Sequence, residues 1–231
     1  MISWITSGLV SAGVVAAFVA ARDAASRLGN PWLASPVIVA SLGVAVALAV
    51  TRCPVERFEA LASPLRWALG PAIVALGAVV HASRAALRVQ GAALVFAVVG
   101  GIAAGVASAL LLARVLGLGD ELAAATLTRT ISTPFTILIQ GRAGGPVSLA
   151  AAFAVITGVI GAIILPPLLN ILRLRGSATT GVAMGVAAHL VGTDWIGRRD
   201  TKGGAFAGTA MVLGGAIAAV VLPPAWRWLL G

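Results

Sequence analysis

The sequence predicts an all-α integral membrane protein, and three observations carry that prediction. The 231 residues are 60% hydrophobic and only 10% charged, the mean hydropathy is +1.05, and the apolar residues run together in stretches as long as a bilayer is thick. Soluble domains carry about a quarter charged residues, so water is excluded as the main solvent of this chain. Ile2 to Ala21, Ala92 to Ala113 and Val147 to Leu169 approach or exceed the roughly 18 to 20 residues that a helix needs to cross about 30 Å of hydrocarbon.

About eight helical segments are expected, near residues 2–21, 34–51, 64–82, 89–116, 121–140, 146–173, 178–196 and 203–230. The first has no Lys or Arg before Arg22 and no early cleavage site, so it reads as a retained helix rather than a removed signal peptide. The third, fifth and seventh are interrupted by Leu69-Gly70-Pro71, Ser132-Thr133-Pro134 and Val191-Gly192-Thr193-Asp194. Pro and Gly weaken the helical ladder there, and each segment is expected to be broken or re-entrant. The fourth, sixth and eighth read as long spans. Gly101 and Gly105, Gly181 and Gly185, and Gly204 and Gly208 recur at helical spacing, which allows close approach of backbones. Trp4, Trp226 and Trp228 lie near the ends of the chain, where a ring either sits at headgroup depth or packs.

A weak internal repeat organises these segments. Gly158 to Pro167 resembles Gly214 to Pro224, with Pro-Pro pairs 57 residues apart, each after an interrupted segment and a Gly-Gly pair. A broken helix, a glycine-bearing turn and a long helix make the unit, a type of duplication seen in secondary transporters. The chain is thus expected to form one transmembrane domain over 1–231, with N-terminal helices in 1–60 and broken-helix units in 61–120, 121–175 and 176–231. Inverted and parallel arrangements of the repeats both remain open.

Charge narrows the partners. The 16 Lys and Arg outnumber 7 Asp and Glu, which in a soluble protein would suggest nucleic acid, but here the Arg residues mark the ends of apolar runs and read as interfacial anchors in a lipid bilayer. No nucleic-acid partner is expected. Alternate loops carry nearly equal numbers of basic residues, and the uncharged stretch before Arg22 and Arg27 favours an external N-terminus. Cys53 is the single cysteine, so an internal disulfide is excluded. It has no metal-ligand neighbours in the sequence, and His81 and His189 are far apart, so neither a metal nor a cofactor is expected. Phosphate-binding loops, nucleophile elbows and zinc-protease motifs are missing from the sequence, and no enzymatic activity is expected.

Two polar runs carry the candidate chemistry. Thr128-Arg129-Thr130-Ile131-Ser132-Thr133-Pro134 places a permanent cation within an apolar segment, where it must face a partner, a watery cavity or the membrane surface. The Arg129 guanidinium could grip a carboxylate in bidentate fashion, with Thr130, Ser132, Thr133 and amides freed at Pro134 adding hydrogen bonds. Alternatively Arg129 snorkels and the hydroxyls back-bond to the helix. The second run, Ala188-His189-Leu190-Val191-Gly192-Thr193-Asp194-Trp195, puts an imidazole and a carboxylate on either side of a glycine. His189 and Asp194 could relay a proton, with Gly192 and Thr193 at the binding site. The alternative is a structural histidine at a helix break, with Asp194 at the interface beside Arg198 and Arg199.

Asn30-Pro31, Leu69-Gly70-Pro71-Ala72, Ser132-Thr133-Pro134, Phe153 to Gly161, Ala188-His189 with Gly192-Thr193, and Gly204 to Gly208 together resemble the CidB/LrgB family over most of the chain. That family's bacterial members are described as autolysis or murein-hydrolase regulators, and a plant relative resembles a plastid glycolate/glycerate translocator. The resemblance implies that Arg129 occupies a basic position, commonly Lys, before a Thr-Thr-Pro motif, and that His189, Gly192 and Thr193 match a His-x-x-Gly-Thr motif. This chain departs from the family pattern at Leu138, where an acidic residue is usual, and at Asp194-Trp195, where Ala-Arg is usual.

Two functions follow as expectations. The first is a transporter of small monocarboxylates such as pyruvate, glycolate or glycerate, with an optional proton coupling, built around broken helices at the bilayer midplane. The second is a holin-like or antiholin-like oligomer that controls murein hydrolases and autolysis. The resemblance further implies a multi-pass protein of the bacterial inner (plasma) membrane, a homo-oligomer, and a smaller CidA/LrgA-like membrane subunit as partner.

Overall fold

A computed structural model describes residues 4–27, 36–82 and 84–230, and these form helices and turns with no strand among them. In order the helices are α1 (Trp4–Arg27), α2 (Pro36–Thr51), α3 (Val55–Leu61), α4 (Ser63–Ala82), α5 (Arg84–Val115), α6 (Asp120–Thr126), α7 (Thr133–Ala143), α8 (Val147–Ile171), α9 (Ser177–Ala187), α10 (His189–Gly197) and α11 (Thr201–Leu230). Asn30 and Pro31 lie outside the described residues.

These eleven helices replace the eight expected segments. The fifth and seventh segments each divide in two, and Val55–Leu61, read as a link, forms a helix of its own. The third does not break: α4 runs through Pro71. A proline inside a helix forfeits one ladder bond to the residue four before it, and here the helix continues on either side of that gap. The seventh breaks at Ala188 and His189, three residues before the expected glycine, and Gly192 lies inside α10.

Among the described residues four helical stretches, Trp4–Ala24, Gly91–Val115, Val147–Ile171 and Thr201–Leu230, are long and apolar enough to cross a membrane. Val39–Thr51 and Val55–Leu61 form a fifth candidate, bent by 119°. At that bend Arg52 has φ 51°, Thr51 Oγ1 donates to the Ala47 carbonyl at 2.7 Å, and Pro54 starts the new helix from an extended conformation. A helix rises 1.5 Å per residue, so each of the four longer stretches matches or exceeds the hydrocarbon thickness.

The chain divides into two compact units, Met1–Val74 and Ala75–Gly231. In the first, α1 packs on α2 and α3. In the second, α11 is the central element: 56% of its span is buried, against 22% for α8. Its buried residues include many small ones, Ala207, Gly208, Ala210, Gly214, Gly215 and Ala218, beside the larger Met211, Val212, Leu222 and Trp226. Helix α9 lies against α11 at backbone distance. A Cβ on Gly185 would overlap the Ala207 backbone, and one on Gly181 would overlap the Gly203 carbonyl. The glycine spacing seen in the sequence therefore builds the α9–α11 contact, where attraction comes from close van der Waals packing.

Outward faces are apolar. Phe96, Ile156, Ile160, Ile164 and Val220 are exposed, as side chains bathed in lipid should be. Trp4 and Trp228 are exposed, whereas Trp226 is buried. Asp200 caps the start of α11: its Oδ1 accepts the Lys202 N–H at 3.0 Å, and the Ser177 hydroxyl at the start of α9 also donates to it.

Candidate functional site

The first helix break begins where α6 stops at Thr126 and tightens into turns with Leu127, Arg129 and Ile131 each bonded three residues back. Ser132 then turns the chain with an extended ψ of 143°, and Pro134 falls in the first turn of α7, where its missing N–H costs nothing. A buried network fixes this break from behind. Thr136 Oγ1 lies 3.0 Å from the Thr128 carbonyl and 3.1 Å from that of Ile131. Gln140 Nε2 donates to the Ala124 carbonyl at 2.9 Å and to Thr128 Oγ1 at 3.0 Å. Thr128, Thr136 and Gln140 are all fully buried. Sequence reasoning passed over Thr136 and Gln140, although two polar residues at i and i+4 in an apolar segment are the signal that marks a shared helix face.

The second break lies between α9 and α10. Ala188 has φ −122° and ψ 6°, and His189 follows with φ 45°. Left-handed backbone is uncommon outside glycine, with His among the residues that tolerate it best. The His189 ring is buried and hydrogen-bonds to the Thr130 backbone, which offers it the carbonyl. Nε2 has no partner, so the bond runs through Nδ1 as donor, and in the neutral ring Nε2 presents a lone pair. Room for the ring comes from α8: a Cβ on Gly158 would stand 3.3 Å from Nδ1, and one on Gly161 would stand 2.9 Å from the Ala187 carbonyl.

The two breaks therefore meet. Between them is a small cavity of about 10 Å³, lined by Thr130, Ile131, Ser132 and His189 and backed by Gly214 and Gly215. Thr130 Oγ1, Ser132 Oγ and His189 Nε2 are buried there without a hydrogen-bond partner. Such a volume is about the least that holds one water, and it cannot hold a three-carbon acid. The N-terminus of α7 adds the positive end of its dipole at Ser132.

Other candidate residues stand apart from this cavity. Arg129 is half-buried, and its Nη2 donates to Ser108 Oγ on α5 at 2.8 Å, while Ser108 donates to the Gly105 carbonyl at 2.9 Å. Thr133 and Pro134 form the first turn of α7. Thr193 Oγ1 back-bonds to the His189 carbonyl at 2.7 Å, and Gly192 is buried against the Met184 carbonyl. Asp194 is exposed and pairs with Arg198 at 2.9 Å, so the structure does not join it to His189. Among the described residues no group of three or more His, Cys, Asp or Glu could hold a metal.

A second, larger cavity of about 510 Å³ lies between α5, α8, α9 and α11. Its walls are almost wholly apolar, among them Leu94, Ala97, Leu165, Val182 and Phe206, and it reaches Thr130.

Long apolar helices, two broken pairs meeting at a buried polar junction and small-residue helix packing define a multi-pass membrane protein. The chain belongs to the LrgB-like family, whose model matches residues 14–228. It is 30% identical over 158 residues to YxaC of Bacillus subtilis, covering 68% of this chain and 69% of that protein. The holin-like protein CidB of Staphylococcus aureus is 25% identical over 194 residues, covering 84% of each chain. YwbG of Bacillus subtilis is 24% identical over 184 residues, covering 80% of each. No solved structure matches the fold.

Proposed function

We propose that this protein is a holin-like membrane component, an oligomer that provides a conditional permeability path, and that the junction of the two helix breaks is its closed point. The observation that carries this reading is the cavity of about 10 Å³, a polar constriction that fits one water in an otherwise apolar bundle. Support comes also from the relative named holin-like protein CidB. Opening such a path changes envelope permeability and, through it, the activity of murein hydrolases. A smaller CidA/LrgA-like membrane subunit fits the same reading as a partner that sets when the path opens.

One observation favours a second reading, a carrier of small monocarboxylates. Unpartnered Ser132 and Thr130 hydroxyls at the start of α7 are suited to an anion, because the N-terminus of a helix favours negative charge. In that reading the cavity enlarges around the substrate, Arg129 leaves Ser108 to hold the carboxylate, Thr133 and Thr193 read its oxygens, amides near Pro134 and Gly192 line the site, and His189 with Asp194 passes a proton.

Saturability separates the two. Purified protein in liposomes is tested for flux of labelled pyruvate, labelled glycolate and a neutral sugar. The holin-like reading expects flux of all three that rises in proportion to concentration and is unchanged by Arg129→Ala. Saturable uptake of the carboxylates alone, abolished by Arg129→Ala, would overturn it in favour of the carrier.

A further inference from the structure

The large apolar cavity and the small polar one share two wall residues, Thr130 and Val186. Each is seated in a notch of α5 made by a missing side chain. A Cβ on Gly101 would come within 2.6 Å of Val186 Cγ1, and a Cβ on Gly105 within 2.5 Å of Thr130 Oγ1. Gly101 and Gly105 are one helical turn apart, so one face of α5 receives a residue from each of the two breaks: Thr130 from the turn before α7, and Val186 from the last turn of α9.

Two side chains form this shared wall. Val186 is only half-buried, and leaving the one χ1 well that a helix favours for valine moves a single isopropyl group. Rotation of this one isopropyl group displaces the side chain that α9 contributes to both cavities. Thr130 cannot move as freely, because its carbonyl is held by His189.

We propose that the cavity of about 510 Å³ is the vestibule of the permeation path, and that Val186, closing against Gly101 beside Thr130, is its gate. The inference deepens the functional reading above and rests on it for the identity of the path. It assigns the solute a route through an apolar chamber before the polar junction. Small, weakly hydrated or apolar-bodied solutes are therefore the class favoured over strongly hydrated ions.

The test uses the whole protein in liposomes with Cys53→Ser, and single cysteines Ala183→Cys in the vestibule or Ser132→Cys in the junction. Modification by N-ethylmaleimide, a small probe that crosses membranes, is followed by mass spectrometry. The gate expects Ala183→Cys to react at least tenfold faster than Ser132→Cys, Val186→Ala to speed the Ser132→Cys reaction at least fivefold, and Val186→Ile to slow it. In a protein carrying both cysteines, blocking Ala183→Cys first with a bulky maleimide should protect Ser132→Cys. Equal Ser132→Cys rates in the Val186→Ala and Val186→Ile proteins, an unreactive Ala183→Cys, or no protection by the block would each overturn the proposal. Because Val186→Ala and Val186→Ile push in opposite directions, a general loosening of the fold cannot mimic the pattern. Solute flux is read separately: labelling as expected without flux keeps the gate and removes the holin-like reading, whereas flux with labelling indifferent to Val186 removes the gate alone.

Discussion

The imidazole of His189 donates to the backbone carbonyl of Thr130 and so ties one helix break to the other. Both partners sit in unusual backbone: His189 has φ 45°, and Thr130 belongs to a turn with three-residue hydrogen bonds. Losing the ring leaves a buried carbonyl unpaired, which costs about 1–3 kcal/mol. A β-branched replacement adds left-handed strain of about 1–3 kcal/mol. His189→Val should therefore destabilise more than His189→Asn, since Asn tolerates that backbone and keeps a donor. Denaturant or thermal unfolding in detergent micelles checks the order, and equal losses would contradict it.

Gln140 is the brace between α6 and α7, with two donated hydrogen bonds to Ala124 and Thr128. Gln140→Ala should lower stability by about 2 kcal/mol, because two buried hydrogen bonds of roughly 1 kcal/mol each are lost. Gln140→Glu should be at least as costly, because an ionised carboxylate has no hydrogen to donate and carries a buried charge. Unfolding measurements near neutral pH check both, and a Glu variant as stable as the parent would show that the brace is not what holds the break.

Gly185→Ala drives a methyl group into the Ala207 backbone. Helices that touch through backbone cannot absorb this by turning a side chain, so about 1–3 kcal/mol or more is expected to be lost. Gly77→Ala meets nothing within 4 Å and should be neutral or slightly stabilising, as alanine is the better helix former by about 1 kcal/mol. The yield of folded protein on gel filtration, together with thermal unfolding, distinguishes the two.

Asp200, at the start of α11 and outside the span, has its carboxyl held below the ordinary carboxylate range by the Ser177 hydroxyl and then by the Gly203 and Lys202 amides, with the Lys202 charge adding to the effect. A depressed value in the folded state means a stabilising contribution that is complete above the ordinary carboxylate range. It is lost as the pH falls through the lowered value. Ser177→Ala should raise that value and reduce the contribution at neutral pH, shrinking the stability difference between pH 7 and pH 3. An unchanged pH profile would show that Ser177 does not act on this carboxyl.

How much of this was legible in the sequence depended on whether the signal was local. The break before α7 was visible because Pro134 has a strong one-residue preference for the first turn of a helix. The second break was misplaced by three residues: glycine weakens a helix in isolation, but Gly192 is kept inside α10 by the Met184 carbonyl and Ala188 packed against it. Pro71 misled for a similar reason, since one lost ladder bond does not end a long helix. At the candidate site, Thr130, Ser132 and His189 were named from their polarity and do converge. Arg129 and Asp194 were named by the same reasoning, but their partners Ser108 and Arg198 show that a charge in an apolar stretch is satisfied by whichever neighbour the fold brings. Val186 carried no signal, since nothing separates it in sequence from any other valine in a membrane helix.

The glycine contacts between α9 and α11 at Gly181 and Gly185 have a mechanical consequence. Interlocked side chains resist sliding, because each step forces a set of rotamers to change together. Where Gly181 and Gly185 meet the Gly203 and Ala207 backbone, few rotamers have to change if α9 shifts against α11. Resistance is then concentrated at the few points where a larger group must lift out of a groove. Strain applied anywhere on α9, by lipid tension or a neighbouring subunit, is carried along the helix and delivered to the isopropyl group of Val186.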